Sequence, residues 1–133
     1  MAFTLQVELL DGVYGGASLP PDEPIPAWFD GPGLTNLTRA DDELSILCRV
    51  ERIPDDVEHT TDWRALKVST RFAFDASGLL DAVVHPLTKA GLAPYVVSTF
   101  MREYLLVRGR ELDKALMVLK EGGHDVTLPD ATH

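Results

Sequence analysis

Phe3, Leu5, Val7 and Leu9 alternate with Thr4, Gln6 and Glu8, the period of two that a strand with one buried face requires. Asp11-Gly12 marks a turn, and residues 13–19 follow as a second short strand. Pro20, Pro21, Pro24 and Pro26 then forbid a ladder or a long helix. They leave room for one helical turn over residues 25–29 that lays Trp28 and Phe29 on a core, and Asp30-Gly31-Pro32-Gly33 ends it. Residues 34–39 and 44–51 read as two strands joined by Ala40-Asp41-Asp42-Glu43, and the alternation of Leu44, Ile46, Cys48 and Val50 turns Cys48 inward.

Residues 52–62 carry charge and Pro54 without periodicity, which reads as a linker between two halves. Residues 63–74 form a long strand, with Leu66, Val68, Phe72 and Phe74 on one side. Asp75 and Ser77 are N-cap candidates for the next helix. Its inner face is predicted from the spacing of Leu80, Val83, Val84, Leu87 and Gly91. Pro86 lies inside this helix. It removes the bond to the Ala82 carbonyl and is expected to bend the helix, at about 3 kcal/mol unless packing compensates. Residues 92–99 and 104–107 are predicted to form a hairpin around Phe100-Met101-Arg102-Glu103. A second helix over 110–121 turns Leu112, Ala115, Leu116 and Leu119 inward, and Gly122-Gly123 supplies its C-cap. Residues 124–127 read as a last strand, and the tail after Pro129 is expected to fray.

Shifting the chain by 60 residues brings the two hairpins together: Thr38 meets Ser98, Glu43 meets Glu103, and Ile46-Leu47 meets Leu106-Val107. The second half reads β-α-β-β-α-β, the order of the split βαβ or ferredoxin-like unit. The first half reads as the same unit with the proline-rich stretch in place of its first helix. The expected fold is therefore α+β: two tandem ferredoxin-like units with antiparallel sheets, the N-terminal unit lacking a full first helix. Residues 1–60 form the first half, 61–128 the second, and 129–133 a tail. Each half alone buries too little for independent stability, so pairing between units is expected.

Composition narrows the function. Apolar residues make up 45% of the 133, enough for a core. Lys and Arg number 12 against 21 Asp and Glu, a net charge of −9. That excess repels phosphate backbones and anionic lipid, so neither nucleic acid nor membrane is an expected partner. The N-terminus lacks the basic start and apolar run of a signal peptide. No apolar run approaches the roughly 20 residues that span a bilayer. One cysteine forms no internal disulfide, and these features together suit a cytoplasmic protein.

The titratable residues assemble no catalytic set. His59, His85, His124 and His133 are scattered, without metal-ligand spacing. Cys48 reads as core. Asp41-Asp42-Glu43 and Asp55-Asp56 read as solvated turns, and no phosphate-binding loop or nucleophile elbow is present. No enzyme, metal or cofactor is expected. Asp75-Ala76-Ser77-Gly78 is different, because a helix start offers free N–H groups and a positive dipole end. Such a place holds a carboxylate, while Asp75 accepts from an ammonium group. Together they suit a zwitterion, and a plain N-cap without ligand is the competing reading.

The stretches IPAWFDGPGLTNLTRADDELSILC from Ile25 and FAFDASGLLDAVVHPLTKAGLAPYVVSTFMREYLL from Phe72 resemble the ACT domain family. The similarity is to small bacterial proteins with two tandem ACT-like units, which also resemble the amino-acid-sensing CASTOR-type proteins. It extends over most of residues 5–123. The resemblance implies ligand binding at interfaces between units, through the first strand–helix loop and the start of the next strand. Here those are Asp75, Ser77, Gly78 and Leu79, then Gly91, Leu92, Ala93 and Pro94. The implied protein is a regulatory binder of a small-molecule ligand, an amino acid, working as a homo-oligomer, a dimer. The alternative is a structural or protein-interaction module without a ligand.

Overall fold

The computed structural model describes residues 5–69 and 76–129; the side chains of Ala76, Ser77, Leu79 and Leu80 lie outside the description. In chain order the strands are β1 (Gln6–Leu9), β2 (Tyr14–Leu19), β3 (Asn36–Arg39), β4 (Leu44–Arg49) and β5 (Trp63–Ser69). Then come α1 (Ala76–Lys89), β6 (Tyr95–Ser98), β7 (Glu103–Arg108), α2 (Leu112–Glu121) and β8 (Asp125–Thr127). Short 3-10 turns occupy Ala27–Phe29, Val50–Arg52 and Gly109–Glu111. The mixed α+β character and the largely antiparallel strand pairing are those of a ferredoxin-like protein. Phe3, Phe72 and Phe74 lie outside the described residues.

The chain divides into two compact units, one of residues up to Leu10 and from Arg64 onward, the other Asp11–Trp63. The boundary expected at residue 60 falls just before the first unit resumes; the two divisions differ over β1. In the first unit β1 pairs antiparallel with β5, Val7 opposite Val68 and Leu9 opposite Leu66. It also pairs parallel with β8, Val7 opposite Val126. The sheet order is therefore β8-β1-β5-β7-β6. The sequence-first strand is inserted where the last strand of a simple β-α-β-β-α-β unit would meet its first. Leu5, Val7, Leu66, Val68, Leu105 and Val107 form the sheet side of the core, and Val83, Leu87, Ala115, Leu116 and Leu119 the helix side. Gly91, expected on the inner face of α1, is instead exposed beyond its end.

In the second unit β4 is central, antiparallel to β2 and β3. Leu44, Ile46, Cys48 and Ile53 are its buried core, with Trp28, Phe29, Leu37 and Val57 packed against them. Where a first helix would run, arginines hold the proline-rich segment. The Arg39 guanidinium donates to the carbonyls of Pro21 and Glu23, and Arg52 donates to those of Phe29 and Pro32. Proline leaves carbonyls with no N–H to pair within the segment, and the guanidinium fork supplies several donors at once. Residues 52–62, expected to be a linker, pack on this unit instead: Ile53 is buried and Ala17 bridges His59.

The two hairpins match in register, but not at the expected offset. Asn36 pairs with Leu47 and Tyr95 with Leu106; 95 − 36 and 106 − 47 both give 59. The second turn is Thr99–Arg102, closed by Thr99 N–H donating to the Arg102 carbonyl at 2.8 Å, so Glu103 begins a strand. Thr99 reads as strand by its β-branched side chain. Its hydroxyl instead takes the Arg102 N–H at 3.0 Å and makes the turn. At offset 59, β4 and β7 share one burial pattern along all six residues.

Candidate functional site

Helix α1 is the element that positions the expected site residues. It spans 14 residues, and a rise of about 1.5 Å per residue separates its two ends by roughly 20 Å. Gly78 lies in its first turn, half-buried. Ser77 and Leu79 are helical there, and Asp75 lies outside the described residues. Gly91, Leu92, Ala93 and Pro94 follow its other end. Within one unit, therefore, the two halves of the expected site are far more distant than one amino acid reaches.

The C-terminal half is largely accounted for by helix termination. Gly91 adopts φ +89°. Its N–H donates to the Thr88 carbonyl at 3.0 Å, and the Leu92 N–H donates to the Leu87 carbonyl at 2.9 Å, the paired bonds of a Schellman cap. Leu92 is buried in the same cluster as Leu87, the apolar contact that accompanies such a cap. Ala93 is exposed and Pro94 half-buried. Helix α2 ends the same way: Gly123 N–H bonds Lys120 at 3.0 Å and His124 N–H bonds Leu119 at 3.2 Å.

Two buried polar side chains escaped sequence reasoning, Glu103 and His124. His124 accepts the Leu5 N–H at Nδ1, 3.2 Å away, which assigns the ring proton to Nε2. Nε2 then donates to the Ala82 carbonyl at 3.1 Å. Glu103 shares a face with Leu105 and Val107, the face that the helices cover. Ser98 Oγ, opposite it on β6, donates to its Oε2. Among the described residues it has no ion-pair partner. The signal in the sequence was the offset: at 59, Glu103 falls on Leu44, whereas at 60 it falls on Glu43 in a turn. His59 is bonded locally through Nδ1 to the Val57 carbonyl at 2.6 Å, and His85 is exposed. Cys48 is core; burial pushes its thiol up, with the Arg52 charge pulling partly back and the Glu51 charge adding to the rise.

Comparison with known proteins adds family to geometry. Residues 58–121 match the family model of the ACT domain, and residues 12–56 match that of an N-terminal domain. The crystal structure of protein Atu0741 from Agobacterium tumefaciens is 42% identical, with TM-score 0.92 over 99% of this chain and 98% of that one. A Vibrio cholerae protein of unknown function, VC0802, described as a possible transport protein, is 18% identical with TM-score 0.70, covering 90% of each chain. The ligand-free regulatory subunit of aspartate kinase from Thermus thermophilus is 12% identical with TM-score 0.58, covering 92% of this chain and 98% of that one. Curated proteins give no match.

Proposed function

The chain belongs to the ACT domain family, and on that premise we propose that it is a regulatory protein that binds an amino acid at interfaces between ACT-like units. The observation that carries this reading is the separation along α1. Ser77, Gly78 and Leu79 at the helix start and Gly91, Leu92, Ala93 and Pro94 after the helix end lie roughly 20 Å apart in one unit; Asp75, the remaining expected contact, precedes the helix in sequence. A small ligand touching both needs the helix start of one copy set against the helix end of another. A two-fold dimer makes two such places. Ligand shifts that packing only by binding one arrangement more tightly than the other. The likeness to a regulatory subunit of aspartate kinase supports a regulatory rather than catalytic role. The hairpins in common register support two tandem ACT-like units. The second unit has a pinned proline-rich segment instead of a helix start, so it offers no equivalent site. A cytoplasmic location follows from the same reading.

Thermal shift and calorimetry against the twenty amino acids test it, with sedimentation velocity as a readout of assembly. An amino acid at 100 times its Kd stabilises by about 2.7 kcal/mol. A flat response to all twenty at millimolar concentration overturns the proposal.

One observation favours a second reading, a module that pairs with protein and needs no ligand. Phe100 is fully exposed and Met101 69% exposed, at the tip of the β6–β7 hairpin. In that case the twenty amino acids leave the melting temperature unchanged, while aspartate at these two positions abolishes association.

A further inference from the structure

The β6–β7 hairpin has an internal control in the β3–β4 hairpin, which has the same register at offset 59. Both inner strands bury their first, third, fourth and fifth residues. In β4 the first of these is Leu44, 0% exposed and part of the core. In β7 it is Glu103, 7% exposed. The hairpin therefore folds with leucine at this position, and a carboxylate there is not required by its backbone. A buried carboxylate is expensive unless a cation or several donors face it. Among the described residues Glu103 has one hydrogen-bond partner, the Ser98 hydroxyl, and no ion-pair partner. The Ser98 bond engages Oε2 and leaves Oε1 with no hydrogen bond to a described residue.

The position has a direction. Glu103 lies on the face of the sheet that carries the helices, in parity with Leu105 and Val107. β5, α1 and β6 form a crossover in which the helix runs back along the sheet. The turn between β6 and β7 therefore lies at the end of the unit where α1 begins, not where it ends. A buried carboxylate oriented by a hydroxyl and facing no cation among the described residues is suited to accept from a cationic donor.

We infer that Glu103, held by Ser98, is the subsite for the ammonium group of the bound amino acid. This rests on the ligand reading above and deepens it: the amine is recognised from within the sheet. Ser98 fixes Oε2, and the ammonium group donates to Oε1. The cation supplies the charge partner that Glu103 lacks among the described residues.

The test uses the full chain, with calorimetry on whichever of the twenty amino acids gives the largest thermal shift, alongside the N-acetyl derivative of that amino acid. Glu103→Gln keeps the shape and removes the charge, and binding is expected to weaken at least tenfold. Glu103→Leu copies the first hairpin. It is expected to melt at or above the wild-type temperature while losing the amino-acid response. N-acetylation is expected to abolish binding to the wild type. Wild-type affinity retained within twofold by Glu103→Gln, or by the N-acetyl derivative, overturns the subsite while leaving the ligand reading intact. A wild type that answers none of the twenty overturns both. If Glu103→Leu melts well below the wild type, the carboxylate is there for the fold and the inference fails.

Discussion

The His124 ring donates from Nε2 to the Ala82 carbonyl at 3.1 Å, the carbonyl that Pro86 leaves without its helical donor. The ring thus supplies the hydrogen bond that a proline inside a helix removes. Helix α1 runs on through Pro86, and the Ala90 N–H still reaches the Pro86 carbonyl at 3.1 Å. Because Nδ1 also accepts the Leu5 N–H at 3.2 Å, one neutral imidazole joins the chain just before β1, the middle of α1 and the cap of α2.

That arrangement predicts a coupled pair. His124→Ala leaves two backbone groups unpaired and is expected to cost about 2–6 kcal/mol in urea melts, at 1–3 kcal/mol per unsatisfied group. Pro86→Ala restores an N–H four residues beyond Ala82. It should therefore stabilise the His124→Ala background more than the wild type, by about 1 kcal/mol in a double-mutant cycle. Additive effects would show that the ring and the proline act independently.

Cys48 makes stability fall at alkaline pH. Burial raises the thiol in the folded protein, while in the unfolded chain it titrates near about 8.5. As pH rises, the unfolded state loses the proton first. The contribution is thus complete below the unfolded value and is lost as pH climbs toward the folded one. Cys48→Val borrows the residue at the offset-59 position, Val107, and should fold. Urea melts at neutral and alkaline pH are expected to show a steeper loss for wild type than for the variant. Parallel losses would rule out the thiol as the cause.

Gly91 separates capping from ligand contact. At φ +89° with nothing within 4 Å of an added Cβ, Gly91→Ala meets only backbone strain, about 1–2 kcal/mol. Thermal denaturation should show that loss. If Gly91 acts only as a cap, the calorimetric affinity for the responding amino acid stays within twofold of wild type; a larger drop would make the helix end a direct contact.

Phe100 and Met101 occupy the positions that Asp41 and Asp42 hold in the other hairpin. The turn tolerates aspartate there, so Phe100→Asp with Met101→Asp should change stability by no more than about 0.5 kcal/mol. If two copies associate through this tip, sedimentation velocity will show the double variant shifted to monomer. An unchanged sedimentation coefficient would place the dimer contact elsewhere.

Much of this was legible from pattern. Alternation placed β1 and β4 and turned Cys48 inward, and the Asp11-Gly12 turn placed β2 after β1. Helical spacing found the inner face of α2, and Gly-Gly found its cap. These are local signals, each decided by residues within a turn or two. The second hairpin was read one residue late because Thr99 has a strand former's side chain and a turn former's hydroxyl. That single step moved Glu103 from a buried strand position to a turn and hid it from view. The helix-start residues were named from the chemistry of orphan N–H groups, and the length of α1 between them and Gly91–Pro94 is what makes the expected site one between two copies.

By itself the sequence determined the order of the strands and helices, the acidic charge, the family resemblance, and the position of Pro86 inside a helix. Only the tertiary structure decided that β1 lies between β5 and β8, that His124 satisfies the carbonyl Pro86 exposes, and that Glu103 is buried beside Ser98. The reason is range. Periodicity and capping act over a few residues, whereas His124 reaches Ala82 across 42 positions and Leu5 across 119. Partners that distant leave no spacing rule in the chain.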